Sequence, residues 1–264
     1  FGSPWAGLGE AFGGGAWTVV EVLAIIGGGV LLSRVMDRTA AQQRIAIWLS
    51  AGGGPTVASA LLMVTGVVPF MESVTGFGVS VIIAIPLLRA LGFTPLRAAL
   101  LALLGLTVAP WGSMAPGTLL GAEIAGVSLM DLGLASGVFN ALPFVAGGAL
   151  AAVVAGRGSH EVGAYRGELK ATAYATWAGI GFTAGLVQGA LIMLSNLLLG
   201  TAVAGAVGSL LMSAAWALII SRGRLQPTPW RSLAPYLILL VGTISGQVLE
   251  RTLLPNGFGA VLGS

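Results

Sequence analysis

Between residues 14 and 250 the chain is a succession of apolar runs, separated by short polar or glycine-rich breaks. Most are close to the roughly 20 residues that a helix needs to cross a bilayer. The runs cover residues 14–36, 55–71, 78–91, 95–127, 129–154, 171–194, 201–220 and 232–250. Charged residues are 8% of the chain and hydrophobic ones 56%, and the mean hydropathy is +0.96. A water-facing surface takes roughly a quarter charged residues, so lipid is the main solvent. Helix is then the expected form of each run, because backbone groups in hydrocarbon need internal partners. A barrel would show short segments of alternating polarity, and none occur. The fold class that follows is all-α, a polytopic transmembrane helical bundle, with residues 1–264 read as a single transmembrane domain.

Composition also excludes several chemistries. There is no cysteine, and His160 is the single histidine, in the polar stretch 157–170; disulfides, thiolate metal sites and a histidine metal site are therefore not expected. No cofactor is expected either. The pI near 10.0 does not indicate nucleic acid, because the basic residues lie between apolar runs and carry a topology signal. Counting crossings puts Arg34, Arg38, Arg44, Arg89, Arg97, Arg157, Arg166, Lys170, Arg222, Arg224 and Arg231 on one side and leaves Arg251 on the other. That asymmetry fits the positive-inside rule. It places Phe1 outside, so an odd number of spans is expected before it. A short amphipathic piece with Arg38, Arg44 and Trp48 is expected along the interface. The 42 glycines suit close helix–helix approach.

Two breaks interrupt the runs in an unusual way. Residues 53–92 read as a re-entrant hairpin or as paired spans, broken at Glu72-Ser73-Val74-Thr75-Gly76-Phe77-Gly78. A helix is expected to end near Met71 and another to begin near Gly78. The second arm's N-terminus carries partial positive charge and can receive a carboxylate. Ser73 and Thr75 add hydroxyls, and Gly76 and Gly78 let a ligand approach the backbone. Glu72, an acid at membrane depth, is a candidate proton carrier or cation ligand. The plainer reading is a surface loop between two full spans. The second break, Ala109-Pro110-Trp111-Gly112-Ser113-Met114-Ala115-Pro116-Gly117-Thr118, makes residues 95–127 a broken helix. Paired broken segments are how many secondary transporters build a solute site; the alternative is a proline-kinked helix. Ser73, Thr75, Gly76, Phe77, Gly78, Trp111, Gly112, Ser113 and Thr118 are thus the candidate substrate-binding residues. Glu72 and Glu21 are the candidate proton-coupling residues, although Glu21, within the first run, could equally snorkel or pair with a hydroxyl. Asn140, Gln188 and Asn196 read as interhelical hydrogen-bonding residues.

On these residues the chain resembles the L-lactate permease family. The likeness centres on Pro69 to Gly78, Ile82 to Leu88, Leu91-Gly92-Phe93 and Pro95-Leu96, and continues through Ala109-Pro110, Gly117 and the stretch Thr118 to Ser128. The sequence departs from the family pattern at Ser73-Val74-Thr75, where a Gly-Ala-Ala type triplet is usual, and at Leu106, where an asparagine is usual. A more polar tip suits another hydroxy acid or a different anion. The resemblance implies a multi-pass symporter of a bacterial cytoplasmic (inner) membrane, not an enzyme. It would take up L-lactate or glycolate with protons by alternating access, with H+ or else Na+ as coupling ion. Its partners would be a small carboxylate and the lipid bilayer, with no nucleic acid and with a homo-oligomer left open. The family also relates loosely to an ion-transporter superfamily built on inverted repeats, and its members are about twice this length, so a second half is expected. Rival readings are a sodium-coupled organic anion carrier or antiporter, and a non-transporting membrane subunit.

Overall fold

The computed structural model describes residues 55–76, 78–162 and 171–221, with isolated positions between 23 and 48 and between 230 and 245; the side chains of 113, 114, 158–162 and 171 are excepted. Most of the runs 14–36 and 232–250, with Glu21 and Phe77, lies outside the described residues. Among the described residues the regular structure is helical, as the apolar runs require.

Helix α1, Val57–Thr75, is long and apolar enough to cross a membrane. It starts at Thr56, whose hydroxyl accepts the Ser59 N–H at 3.1 Å while the Ser59 hydroxyl accepts the Thr56 N–H at 2.9 Å, a reciprocal cap. Its middle, Met63–Val67, widens to a π turn just before Pro69. Every residue from Ser59 to Thr75 is buried. The expected end near Met71 is corrected: the helix runs one turn further and stops at Gly76, whose φ of 67° ends it. Helix α2, Val79–Ala90, has 12 residues. At 1.5 Å per residue that is about 18 Å, against roughly 30 Å of hydrocarbon. The pair is a helical hairpin with a long first arm and a short second one.

Helix α3, Pro95–Leu104, leads into a 3-10 helix over Leu106–Met114 that contains Pro110, then into α4, Pro116–Ala125, through Ala115 at φ 67°. The expected break in 95–127 is present, but it opens at Gly105 rather than at Ala109. Between α4 and α5, Leu129–Phe139, the chain bends by 113°. The run 129–154, read as one span, is instead cut at Asn140, whose amide donates to Ser136 O at 2.8 Å and closes its own helix rather than bridging two. Helix α6, Ala141–Val162, then carries Arg157 and His160 on its last turns, where a polar loop was expected. Helices α7, Ala171–Leu199, and α8, Thr201–Ile220, turn tightly at Gly200, φ 94°; both are long and apolar enough to cross.

Packing explains part of the glycine content. A β-carbon on Gly181 would sit 2.1 Å from the Gly148 carbonyl oxygen, and one on Gly185 would sit 2.0 Å from the Phe144 oxygen. Helices α6 and α7 therefore touch backbone to backbone, which only glycine permits. At one end of this seam Gly156 meets Trp177, and Arg157 lies 5.0 Å over the Tyr174 ring. Helix α8 packs on α7 through Gly208 against Ile192, and on α1 through Gly66 against Ser213. The Trp216 indole N–H also reaches the Thr65 hydroxyl at 3.1 Å. Buried α1 is thereby fastened to α8 at two adjacent residues.

Candidate functional site

Glu72 lies on the last turn of α1 and is 5% exposed. Its Oε1 accepts the Gly78 N–H at 3.0 Å and its Oε2 accepts the Ser80 hydroxyl at 2.6 Å. Both donors belong to the start of α2, so the carboxylate of the first arm caps the N-terminus of the second. Hydrogen bonds to an ionised group contribute about 1.5–3 kcal/mol each, and the helix end adds a favourable field. These offset part of the several kcal/mol that burying a carboxylate costs. The position at which a ligand carboxylate was expected is thus occupied by the protein's own.

The hydroxyls around Glu72 turn inward on their own helix. Ser73 donates to Pro69 O and Thr75 to Met71 O, each at 2.8 Å, and the Gly76 N–H bonds Glu72 O at 2.8 Å. Their lone pairs and the glycine surfaces, rather than free donors, are what the hairpin tip presents. Gly78, at φ 73°, starts α2 in a backbone conformation that favours glycine.

The 3-10 helix brings the second break against this tip. A β-carbon on Gly112 would lie 3.7 Å from both Glu72 O and Glu72 Oε1, and 3.9 Å from the Gly76 Cα. Next to it, Trp111 is fully buried and its ring faces Phe144, centroids 6.2 Å apart. The Thr118 hydroxyl donates to Pro110 O, tying α4 to the 3-10 helix. Ser113 lies on the same 3-10 helix; its side chain, like Phe77 and Glu21, is outside the described set. Glu72, Ser73, Trp111 and Gly112 are therefore brought together, while Thr118 stands at the junction that holds the 3-10 helix in place.

Two residues of this neighbourhood, Ser80 and Gly205, carry no distinctive sequence signal. Ser80 is one serine in an apolar arm. Gly205 of α8 is one glycine of many, yet a β-carbon there would meet Ser73 Oγ at 2.5 Å and the Trp111 Cβ at 2.6 Å. Gln188 of α7 bonds the Thr107 hydroxyl at 3.2 Å; its amide is a bridge between helices, as read. An apolar groove of about 320 Å³ between α5, α6 and α7, lined by Phe144, Gly185, Gly189 and Met193 among others, offers nothing to a carboxylate. Gly205→Ala should cost about 1–3 kcal/mol by overpacking, because the Trp111 Cβ cannot swing away. A thermal melt of the purified variant checks this, and an unchanged melt would remove Gly205 from the site.

A model of the L-lactate permease family matches the chain over residues 9–154, more than half of its length and across both breaks. The chain belongs to the L-lactate permease family. No curated protein and no solved structure matches it. Membership implies a lactate transporter, with a small carboxylate as substrate and the chain embedded in the membrane by several crossings. The family match contains the hairpin and the 3-10 helix; it ends before α7 and α8, which supply Gln188 and Gly205.

Proposed function

We propose that this lactate permease family member is a proton-coupled symporter of small 2-hydroxy monocarboxylates such as L-lactate or glycolate, working by alternating access in a bacterial cytoplasmic membrane. The observation that carries the reading is the Glu72 carboxylate on the N-terminus of α2. One anion site serves two carboxylates that exclude each other. When Glu72 takes a proton it loses its charge and its hold on the Gly78 N–H weakens. A substrate carboxylate then takes the place at the helix end, where the partial positive charge favours it. When the substrate leaves, Glu72 gives up its proton and returns. One proton thus accompanies one carboxylate, and no net charge moves. Ser73, Thr75, Gly76, Phe77, Gly78, Gly112, Ser113 and Thr118 line the path on this reading, and Glu21 serves proton access.

The test is uptake of labelled L-lactate into proteoliposomes holding the full-length protein. An inside-alkaline pH gradient should drive accumulation with no sodium present. Accumulation driven by a sodium gradient at equal pH on both sides would overturn proton coupling and favour a sodium-coupled carrier of the same substrate class.

A further inference from the structure

Two polar groups behind the hairpin are buried without a hydrogen-bond partner among the described residues, the Trp111 indole N–H and the Gln188 amide oxygen. Trp111 is 0% exposed and Gln188 1%. They belong to one layer of the molecule. Trp111 shares a buried cluster with Val108, Phe144, Ile192 and Ala204. Ile192 is one turn of α7 beyond Gln188, and Thr107, the residue before Val108, holds the other end of the Gln188 amide. Gly189, next to Gln188, lies against the Phe144 ring that stacks on Trp111. A buried polar group without a partner is destabilising, and in hydrocarbon the loss is larger. Such groups persist where something else completes them.

We infer that Trp111 and Gln188 recognise the hydroxyl group of the substrate and so set the preference for 2-hydroxy acids over plain carboxylic acids. A hydroxyl donates one hydrogen bond and accepts two, so it can take the indole N–H and give its own proton to the amide oxygen. Turning the Gln188 amide over would only exchange which of its ends is left over, and a hydroxyl oxygen accepts from that end as well. The carboxylate end of the same molecule is accounted for by the helix terminus beside Gly112, the residue that follows Trp111. This inference rests on the carboxylate reading above and adds the specificity to it.

The experiment measures binding of L-lactate and of propionate, its analogue without the hydroxyl, to the full-length protein and to Trp111→Phe and Gln188→Leu. Both substitutions keep an apolar side chain in place, and the ratio of the two affinities within each variant does not depend on how much folded protein is recovered. The wild type should prefer L-lactate by at least ~100-fold, as sites that pair a substrate hydroxyl do. Each variant should bring the ratio to within about tenfold, because an unpaired buried group no longer penalises the analogue. Equal losses for the two acids, or an unchanged ratio, would overturn the inference and leave the groups as structural. A wild type that binds both acids alike overturns the inference alone, whereas one that binds neither overturns the transport reading with it.

Discussion

Glu72→Gln should bring proton-driven accumulation of L-lactate down to equal concentrations on the two sides of the membrane. A gradient of one pH unit stores about 1.4 kcal/mol per proton, which supports about tenfold accumulation by a one-to-one symporter. Glutamine resembles a permanently protonated glutamate. Its oxygen can still accept the Gly78 N–H, and its amide can donate to the Ser80 hydroxyl, so the two hairpin arms keep their contact. The charge-assisted part of both bonds is lost, at about 1–2 kcal/mol of stability, and folded protein should remain in the membrane. Exchange of external for internal lactate should persist, since the helix terminus still receives a carboxylate when the side chain is neutral. A variant that keeps tenfold accumulation would show that the proton travels by another residue.

The second large effect concerns the α6–α7 seam. Gly181→Val should remove most of the folded protein, while Gly179→Val, two residues away on the same helix, should be nearly silent. The β-carbon of the first would lie 2.1 Å from the Gly148 oxygen, 2.5 Å from the Gly148 carbonyl carbon and 2.7 Å from the Ala149 Cα. All three atoms are backbone, so no rotamer change relieves the clash and the helices must part. Overpacking of this kind costs about 1–3 kcal/mol even where side chains can adjust, and more where they cannot. Around Gly179 nothing lies within 4 Å, and surface changes cost within about 0.5 kcal/mol. Fluorescence-detected size exclusion in detergent compares the two. Similar profiles for both would refute the described contact between the helix backbones.

The sequence made the helices legible because lipid leaves little choice: an apolar run becomes a helix, and polar or proline-rich residues mark the interruptions. It misplaced the ends of those helices for a definite reason. Ser73 and Thr75 look like loop residues in a polarity reading, yet each closes its hydroxyl on the carbonyl four residues back and remains helical. The carboxylate that seemed to lie in a loop is thereby carried on a helix and aimed at the next one. The cut at Asn140 showed in the sequence only as one polar residue that could equally bridge two helices; its amide instead closes a helix end by a local bond. Glycine content gave the expectation of close packing but not its location. Gly205 became notable only because Ser73 and Trp111 lie against it. Within the site, Glu72 and Gly112 could be named from their breaks; Ser80 could not, since its role depends on a partner eight residues earlier in the chain.

The nine-residue 3-10 helix from Leu106 to Met114 sets a length. At about 2.0 Å per residue it spans roughly 18 Å, where an α-helix of the same residues would span roughly 13–14 Å. Pro110 guards that difference: it has no N–H for an α-type bond, and its ring would press on the Leu106 carbonyl. The segment works as a spacer of fixed gauge between α3 and α4. Wound as an α-helix, with its smaller rise per residue, the segment would leave Gly112 short by more than the width of an atom, and the backbone now facing Glu72 would leave that carboxylate without its neighbour. The reach of this spacer, as much as the chemistry of any side chain, decides that the two breaks meet.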